Sequence, residues 1–283
     1  MIYLLLAIAS SACVSIFMRL SENYMKNQMG MCMANYAICS VLSYLYMDKS
    51  GGNLFGVSPS IAILLGIITG VLYLVSFSFM KYNMKYNGVV LTATFMKLGV
   101  LIPTLMAIIV FRETPGFLQI VGIAIAILAI IMIHFEKDAL QQGNKKVWLL
   151  ILLILGGLGD AMINIYEKVG DVSGKDGYLL MTFLVAFLLS TGLALKDIFI
   201  GKGSICKEDI FFGMLIGIPN YFSARFLLLA LGSVDAVLAY PMYSVTTLVV
   251  ITVAGILFFK EKISKKKAAA LAMIAVALCL LNL

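Results

Sequence analysis

The chain has 283 residues, 62% of them hydrophobic and 12% charged, with a mean hydropathy of +1.05. Soluble domains carry roughly 45–50% apolar and about 25% charged residues, so this composition excludes a soluble globular fold and indicates a polytopic helical membrane protein. The net charge of +7 is read as loop lysines that set orientation, and nucleic acid is not an expected partner.

Ten apolar stretches follow in order, at 2–20, 30–47, 61–80, 88–111, 116–135, 147–167, 177–195, 209–231, 234–258 and 264–282. Each is near the ~20 residues that cross a bilayer as a helix. The first superficially resembles a signal peptide. It lacks a basic leader, and its apolar run continues to Met18, so it is read as a first membrane helix. The connections are short. The longer ones, Met47–Ser60 and Lys196–Glu208, hold Gly, Ser and charge, and no soluble domain fits between spans. Cys13, Cys32, Cys39, Cys206 and Cys279 lie mostly inside apolar runs without a C-x-x-C spacing. They form no disulfide or zinc framework, and neither a metal nor a cofactor is expected.

The first span returns in the sixth. At a shift of about 149 residues, Leu4 meets Leu153, Ala12 meets Ala161, Ser15 meets Asn164, Phe17 meets Tyr166 and Arg19 meets Lys168. Ser11 falls on Asp160, so only one copy carries the acid. The third and eighth spans share GxxxG, the spacing that lets helix backbones approach closely: Gly66 and Gly70 match Gly213 and Gly217, with Ser76 on Ser223 and Phe79 on Phe226. The turns after the fourth and ninth spans agree as well, Phe111-Arg112-Glu113 with Phe259-Lys260-Glu261. An acid there complements the dipole of the helix that follows, with Thr114 and Pro115 as N-cap and N1, and Ser264 as the other cap. The expected fold is therefore all-α, ten transmembrane helices as two five-helix repeats, residues 1–140 and 147–283. Five is odd, so the second repeat is inverted, and inverted repeats place a site at their interface. Of the Lys and Arg residues in loops or at span ends, fifteen gather on one side, against Lys49, Arg112, Lys168 and Lys175 on the other. The positive-inside rule then puts both termini outside the cell membrane.

These repeats resemble the drug/metabolite transporter superfamily in its ten-helix form, built from two EamA-type repeats. The resemblance covers the whole chain. It is carried by the paired F-[RK]-E turns and the paired GxxxG helices. The opening repeat also resembles the small multidrug resistance family at Phe17-Met18-Arg19-Leu20-Ser21-Glu22. That family has a membrane glutamate eight residues before its basic residue; here the position is Ser11, and its repeat mate is Asp160. The resemblance implies a secondary transporter working by alternating access. Helices 1–4 and 6–9 would wall a central cavity, helices 5 and 10 would be peripheral, and the termini would be cytoplasmic. On that last point the charge count says the reverse.

Three ionisable groups lie well inside spans: Lys97 in the fourth, Asp160 in the sixth and Arg225 in the eighth. At about 1.5 Å per residue they sit roughly 14, 20 and 24 Å from the cytoplasmic ends of their helices. Charges at such depth face protein or a cavity and mark functional sites. One acid against two bases leaves positive charge over, which suits an organic anion or a zwitterion such as an amino acid. The plainer alternative is a buried ion pair, Asp160 with Lys97 or Arg225, that fixes packing. Asn164, one turn beyond Asp160, joins Asn220, Tyr221, Tyr240 and Tyr243 as solute contacts. Pro103, Pro219 and Pro241 are hinge or cavity candidates, because proline inside a span frees backbone carbonyls. His134, alone near the end of the fifth span, makes neither a metal site nor a triad.

The expected partners are a small organic solute, H⁺ or Na⁺ as coupling ion, and the lipid bilayer, with no obligate protein partner. Two other readings stand beside this one. A proton-coupled exporter of cationic drugs would have to overcome Lys97 and Arg225. An intramembrane aspartyl protease is suggested by Gly157-Leu158-Gly159-Asp160, which reads GxGD. That chemistry needs a second membrane aspartate to share a proton, and Asp48, Asp171, Asp197, Asp209 and Asp235 fall at span ends or in loops. HExxH and GxSxG are absent, and Gly170–Lys175 is one residue short of a P-loop, so no catalytic residue is expected.

Overall fold

The computed structural model describes residues 1–21, 24–47, 59–87, 89–134, 146–171, 174–200, 204–259 and 265–281. Among them the chain forms eleven helices: α1 Ile2–Ser21, α2 Gln28–Leu45, α3 Pro59–Asn87, α4 Val89–Leu98, α5 Leu101–Ile109, α6 Phe117–His134, α7 Lys146–Val169, α8 Lys175–Phe199, α9 Lys207–Leu231, α10 Ala236–Phe259 and α11 Lys265–Leu281. Helices satisfy every backbone group within the segment, which is why apolar runs of this length adopt them in lipid. Six, α1, α3, α7, α8, α9 and α10, are long and apolar enough to cross a membrane alone. The shorter apolar stretches Phe95–Ile109, Phe117–Met132 and Ala268–Leu281, together with α2, complete the ten predicted spans. The protein is a multi-pass, all-helical membrane protein.

Helix ends carry the expected signals. Asn27 caps α2, its side chain accepting from the backbone N–H of Met29 and Gly30. Asp209, fully buried in the first turn of α9, accepts from the N–H of Cys206, Lys26 and Asn27. One carboxylate thus closes the start of its own helix and ties it to the start of α2.

The turn between α5 and α6 differs from expectation. Helix α6 begins at Phe117, and Gly116 rather than Thr114 precedes it. The Gly116 N–H donates to Gln119 Oε1 at 2.9 Å, one half of a capping box. Thr114 and Pro115 belong to the irregular approach, and Arg112 reverses the chain with φ 54°. Glu113 does cap a helix, but a different one: its Oε2 accepts from the N–H of Val237 at 2.8 Å, in the first turn of α10. Lys260, Glu261 and Ser264, the expected second copy of this turn, lie outside the described residues.

The helices gather into two compact units. The first contains Met1, Val75–Asn164 and Ala230–Leu283; the second contains Ile2–Leu74 and Ile165–Leu229. Each draws on both sequence halves, so the repeats are units of sequence while the compact units combine helices from each. In the first unit α6 packs along α11 and also against α4, and α10 packs against α5, α6 and α11. In the second, α2 packs along α8. Both GxxxG helices find their seams in this second unit. A Cβ at Gly66 would stand 2.6 Å from Met181 Cβ, and one at Gly70 would stand 2.6 Å from the Thr182 carbonyl, both on α8. A Cβ at Gly213 would strike the Met31 carbonyl, and one at Gly217 would stand 2.6 Å from the Asn35 carbonyl, both on α2. The third span thus seats on the seventh, and the eighth on the second. Such an exchange of partners is what two copies of one five-helix unit, one inverted, would produce.

Candidate functional site

The fourth predicted span is not one helix. Helix α4 stops at Leu98, Gly99 and Val100 form a turn, and α5 begins at Leu101. The N–H groups of Gly99, Val100 and Ile102 reach back three residues, to Met96 at 3.2 Å, Lys97 at 3.4 Å and Gly99 at 3.0 Å. Pro103 is the chemical cause in reach: it has no N–H for the Gly99 carbonyl four residues back, and its ring crowds that carbonyl. Pro219 and Pro241, the other hinge candidates, lie inside continuous helices.

The break seats on α7. A Cβ on Gly99 would stand 3.1 Å from Gly157 N and 3.2 Å from the Leu153 carbonyl, and one on Gly157 would strike the Gly99 carbonyl and Ile102. Backbone meets backbone here because neither residue has a side chain. Gly157, the first glycine of the GxGD string, is thereby accounted for as the floor of a helix break.

That seam sets Lys97, two residues before it on α4, near Asp160, three residues after it on α7. Their charges lie within Coulombic reach of each other. Tyr240 on α10 donates its hydroxyl to the Asp160 carbonyl at 2.7 Å and is buried, with Tyr243 half-buried on the next turn. Asn164 is fully buried, and neither polar atom of its carboxamide has a hydrogen-bond partner among the described residues. The same holds for the hydroxyl of Thr247, farther along α10. The first unit therefore contains five of the eight predicted contacts, Lys97, Asp160, Asn164, Tyr240 and Tyr243, of which Tyr240 touches the Asp160 backbone.

The other three, Asn220, Tyr221 and Arg225, lie on α9 in the second unit. Arg225 Nη1 meets Asp176 Oδ1 at 3.0 Å, donates to the Tyr221 hydroxyl, and reaches the Tyr46 carbonyl at 3.5 Å. Its guanidinium also lies over the Tyr46 and Tyr221 rings, at 5.3 and 5.9 Å from their centroids. Asp176 stands in the first turn of α8 and Tyr46 is the C-cap of α2. The arginine charge thus sits at the level of helix ends, which corrects its expected mid-span position. Asp176 also enters the charge balance: the sequence count set one acid against two bases, and Arg225 has an ion pair with this further acid. Below this cluster, Asn220 donates to Asn35 Oδ1 at 3.2 Å, and the Cys39 thiol donates to the Gly217 carbonyl at 3.2 Å. Tyr221 is fully buried, edge-on to Phe183 and stacked on Tyr46.

Asp176, Tyr46, Asn35 and Cys39 were not singled out from the sequence. Asp176 carried a usable signal, an acid one residue before the predicted seventh span. Asn35 carried another, a carboxamide inside the second. Among the described residues no group of three or more His, Cys, Asp or Glu stands together as a metal site.

Residues 203–274, which include α9 and α10, match the family model described as Small Multidrug Resistance protein. That match points to a small-molecule transporter or exporter rather than an enzyme, and it agrees with the drug/metabolite transporter resemblance. The matched segment includes neither Ser11 nor Asp160, the places where that family's membrane acid would fall. An uncharacterized protein of Haemophilus influenzae is 24% identical over 193 residues, 67% of this chain and 65% of its own length. The aligned part thus spans just under two thirds of that relative. A crystal structure superposes on 99% of this chain and 94% of its own, with a TM-score of 0.72 at 13% identity, so the two share a fold.

Proposed function

We propose that the protein is a secondary transporter of a small zwitterionic metabolite of the amino-acid type, working by alternating access at the Lys97–Asp160 site. The observation that supports this reading is an acid and a base that interact electrostatically beside a glycine seam at a broken span. A zwitterion offers each its opposite charge, a carboxylate for Lys97 and an ammonium for Asp160. Binding then replaces one internal pair by two and leaves no charge uncompensated in a medium where that costs several kcal/mol. A simple anion would strand Asp160, and a simple cation would strand Lys97. With Asp176 beside Arg225, no surplus positive charge is left to favour an anion. Asn164, Tyr240 and Tyr243 supply polar contacts around the pair, and Asn220, Tyr221 and Arg225 serve the packing of α2, α8 and α9. The protein acts in the cell membrane, driven by an ion gradient.

In proteoliposomes the purified protein should exchange a radiolabelled member of an amino-acid panel saturably. Lys97→Ala and Asp160→Asn should each slow that exchange at least about tenfold, the loss that goes with truncating one member of a desolvated charge pair. The family match at residues 203–274 favours a second reading, proton-coupled export of cationic drugs. Saturable transport of ethidium that Lys97→Ala leaves unchanged would install that reading in its place.

A further inference from the structure

We propose that Asn35 and Asn220 form a second binding site, within the second unit, for an uncharged group that carries a donor and an acceptor side by side: the primary carboxamide of a small solute. Asn220 Nδ2 donates to Asn35 Oδ1 at 3.2 Å, and Cys39 Sγ stands 3.8 Å from the first of these atoms and 3.7 Å from the second. These contacts use one end of each carboxamide. Asn220 Oδ1 and Asn35 Nδ2 take no hydrogen bond among the described residues. Packing of α2 against α9 thus accounts for half of each side chain, and an acceptor and a donor are left over. The glycine seam holds both in place: a Cβ on Gly217 would stand 2.6 Å from the Asn35 carbonyl, so the two helices meet backbone to backbone at this level.

Asn220 does not open toward lipid. Phe211, Met214 and Ile218 mark the exposed stripe of α9, and Asn220 lies about 200° round the helix from Ile218. On its own side Ile216, Gly217, Ser223, Ala224 and Leu227 are buried, whereas Asn220 is only half-buried. The accessible spot on the inward side of α9 is therefore a carboxamide. The nitrogen and oxygen of one carboxamide are ~2.3 Å apart. With the 3.2 Å bond between the two side chains, the free acceptor and free donor stand at most about 8 Å from each other. A solute carboxamide with a hydrogen bond of about 2.9 Å at either end covers that span. It gives an N–H to Asn220 and a carbonyl to Asn35 and displaces water from both. A carboxylate has no donor for Asn220 Oδ1, and an ammonium has no acceptor for Asn35 Nδ2. Either would also bring a charge to a pair that no acid or base touches among the described residues, at a depth where an uncompensated charge is costly. The inference concerns the second unit alone and does not rest on Lys97 and Asp160.

The test is thermal unfolding of the full-length purified protein titrated with glutaramide, isobutyramide and nicotinamide, each against its carboxylate counterpart, glutarate, isobutyrate and nicotinate. The wild type should gain a saturable rise in Tm of about 2–4 °C with at least one amide and none with the matching acid. Asn220→Leu, and independently Asn35→Leu, should lose that rise, and Lys97→Ala should keep it. No saturable rise with any of the three amides would overturn the inference. So would equal rises from an amide and its acid, and this contrast in the wild type decides even where neither asparagine variant folds. A rise that survives in a folded Asn220→Leu protein would overturn it as well. Amide binding by a wild type that moves no amino acid would keep this inference and sink the transport reading. Amino-acid exchange by a wild type indifferent to all three amides would do the reverse.

Discussion

The charges of Lys97 and Asp160 interact, so the two should support the first unit as a pair. Removing one leaves the other as an uncompensated charge, at a cost of about 3–5 kcal/mol for a buried pair. Removing both leaves an apolar seam with no stranded charge. Lys97→Met and Asp160→Leu should therefore each lower Tm, and the double variant should melt above either one; strictly additive losses in a double-mutant cycle would show that the two groups do not interact. Both residues were legible because an ionisable group in an apolar run needs a partner or a cavity, whether its role is structural or functional. The location of Arg225's charge was not legible. A long side chain carries its charge far from its own Cα, so position along the chain misstates depth. Asp176 was passed over for a related reason: an acid in the first turn of a helix already has a use, against the dipole.

Glycine spacing shows that a helix has a bare face, and it does not show what covers that face. Gly66, Gly70, Gly213 and Gly217 were readable as close-approach positions. That they seat on α8 and α2 required the coordinates. Gly217→Ala places a methyl group against Ile38 and 2.6 Å from the Asn35 carbonyl, backbone that yields only if α2 and α9 part. It should cost about 1–3 kcal/mol, read as a lower Tm of the detergent-solubilised protein, whereas alanine at Gly192, where nothing lies within 4 Å, should cost little or nothing. The break in the fourth span was half legible. Pro103 announced a disturbance, and the interruption sits at the residue whose carbonyl proline leaves unanswered. The capping role of Glu113 was legible in kind. Its target was not, because a turn's sequence does not say which neighbouring helix start lies within reach.

For the whole molecule, hydropathy gave the multi-pass helical architecture, and an odd number of helices per repeat gave the expectation of an inversion. An exchange of seams between the third and eighth spans is what such an inversion would produce. The grouping into two compact units was beyond sequence reading, since each unit mixes segments from both halves. The orientation expected from charge, fifteen Lys and Arg residues of loops and span ends on one side against four on the other, is both termini outside. A C-terminal alkaline phosphatase fusion in a bacterial host should be active and a C-terminal green fluorescent protein fusion dark; the opposite pattern would give the chain cytoplasmic ends.

Helix α9 is fastened to α2 at its start by Asp209, along its glycine seam, and near its end by Arg225 on the Tyr46 carbonyl. A bar bolted at both tips and glued along its length has no freedom to slide or peel. In the transport cycle proposed above, these two rods would travel together as a single lever.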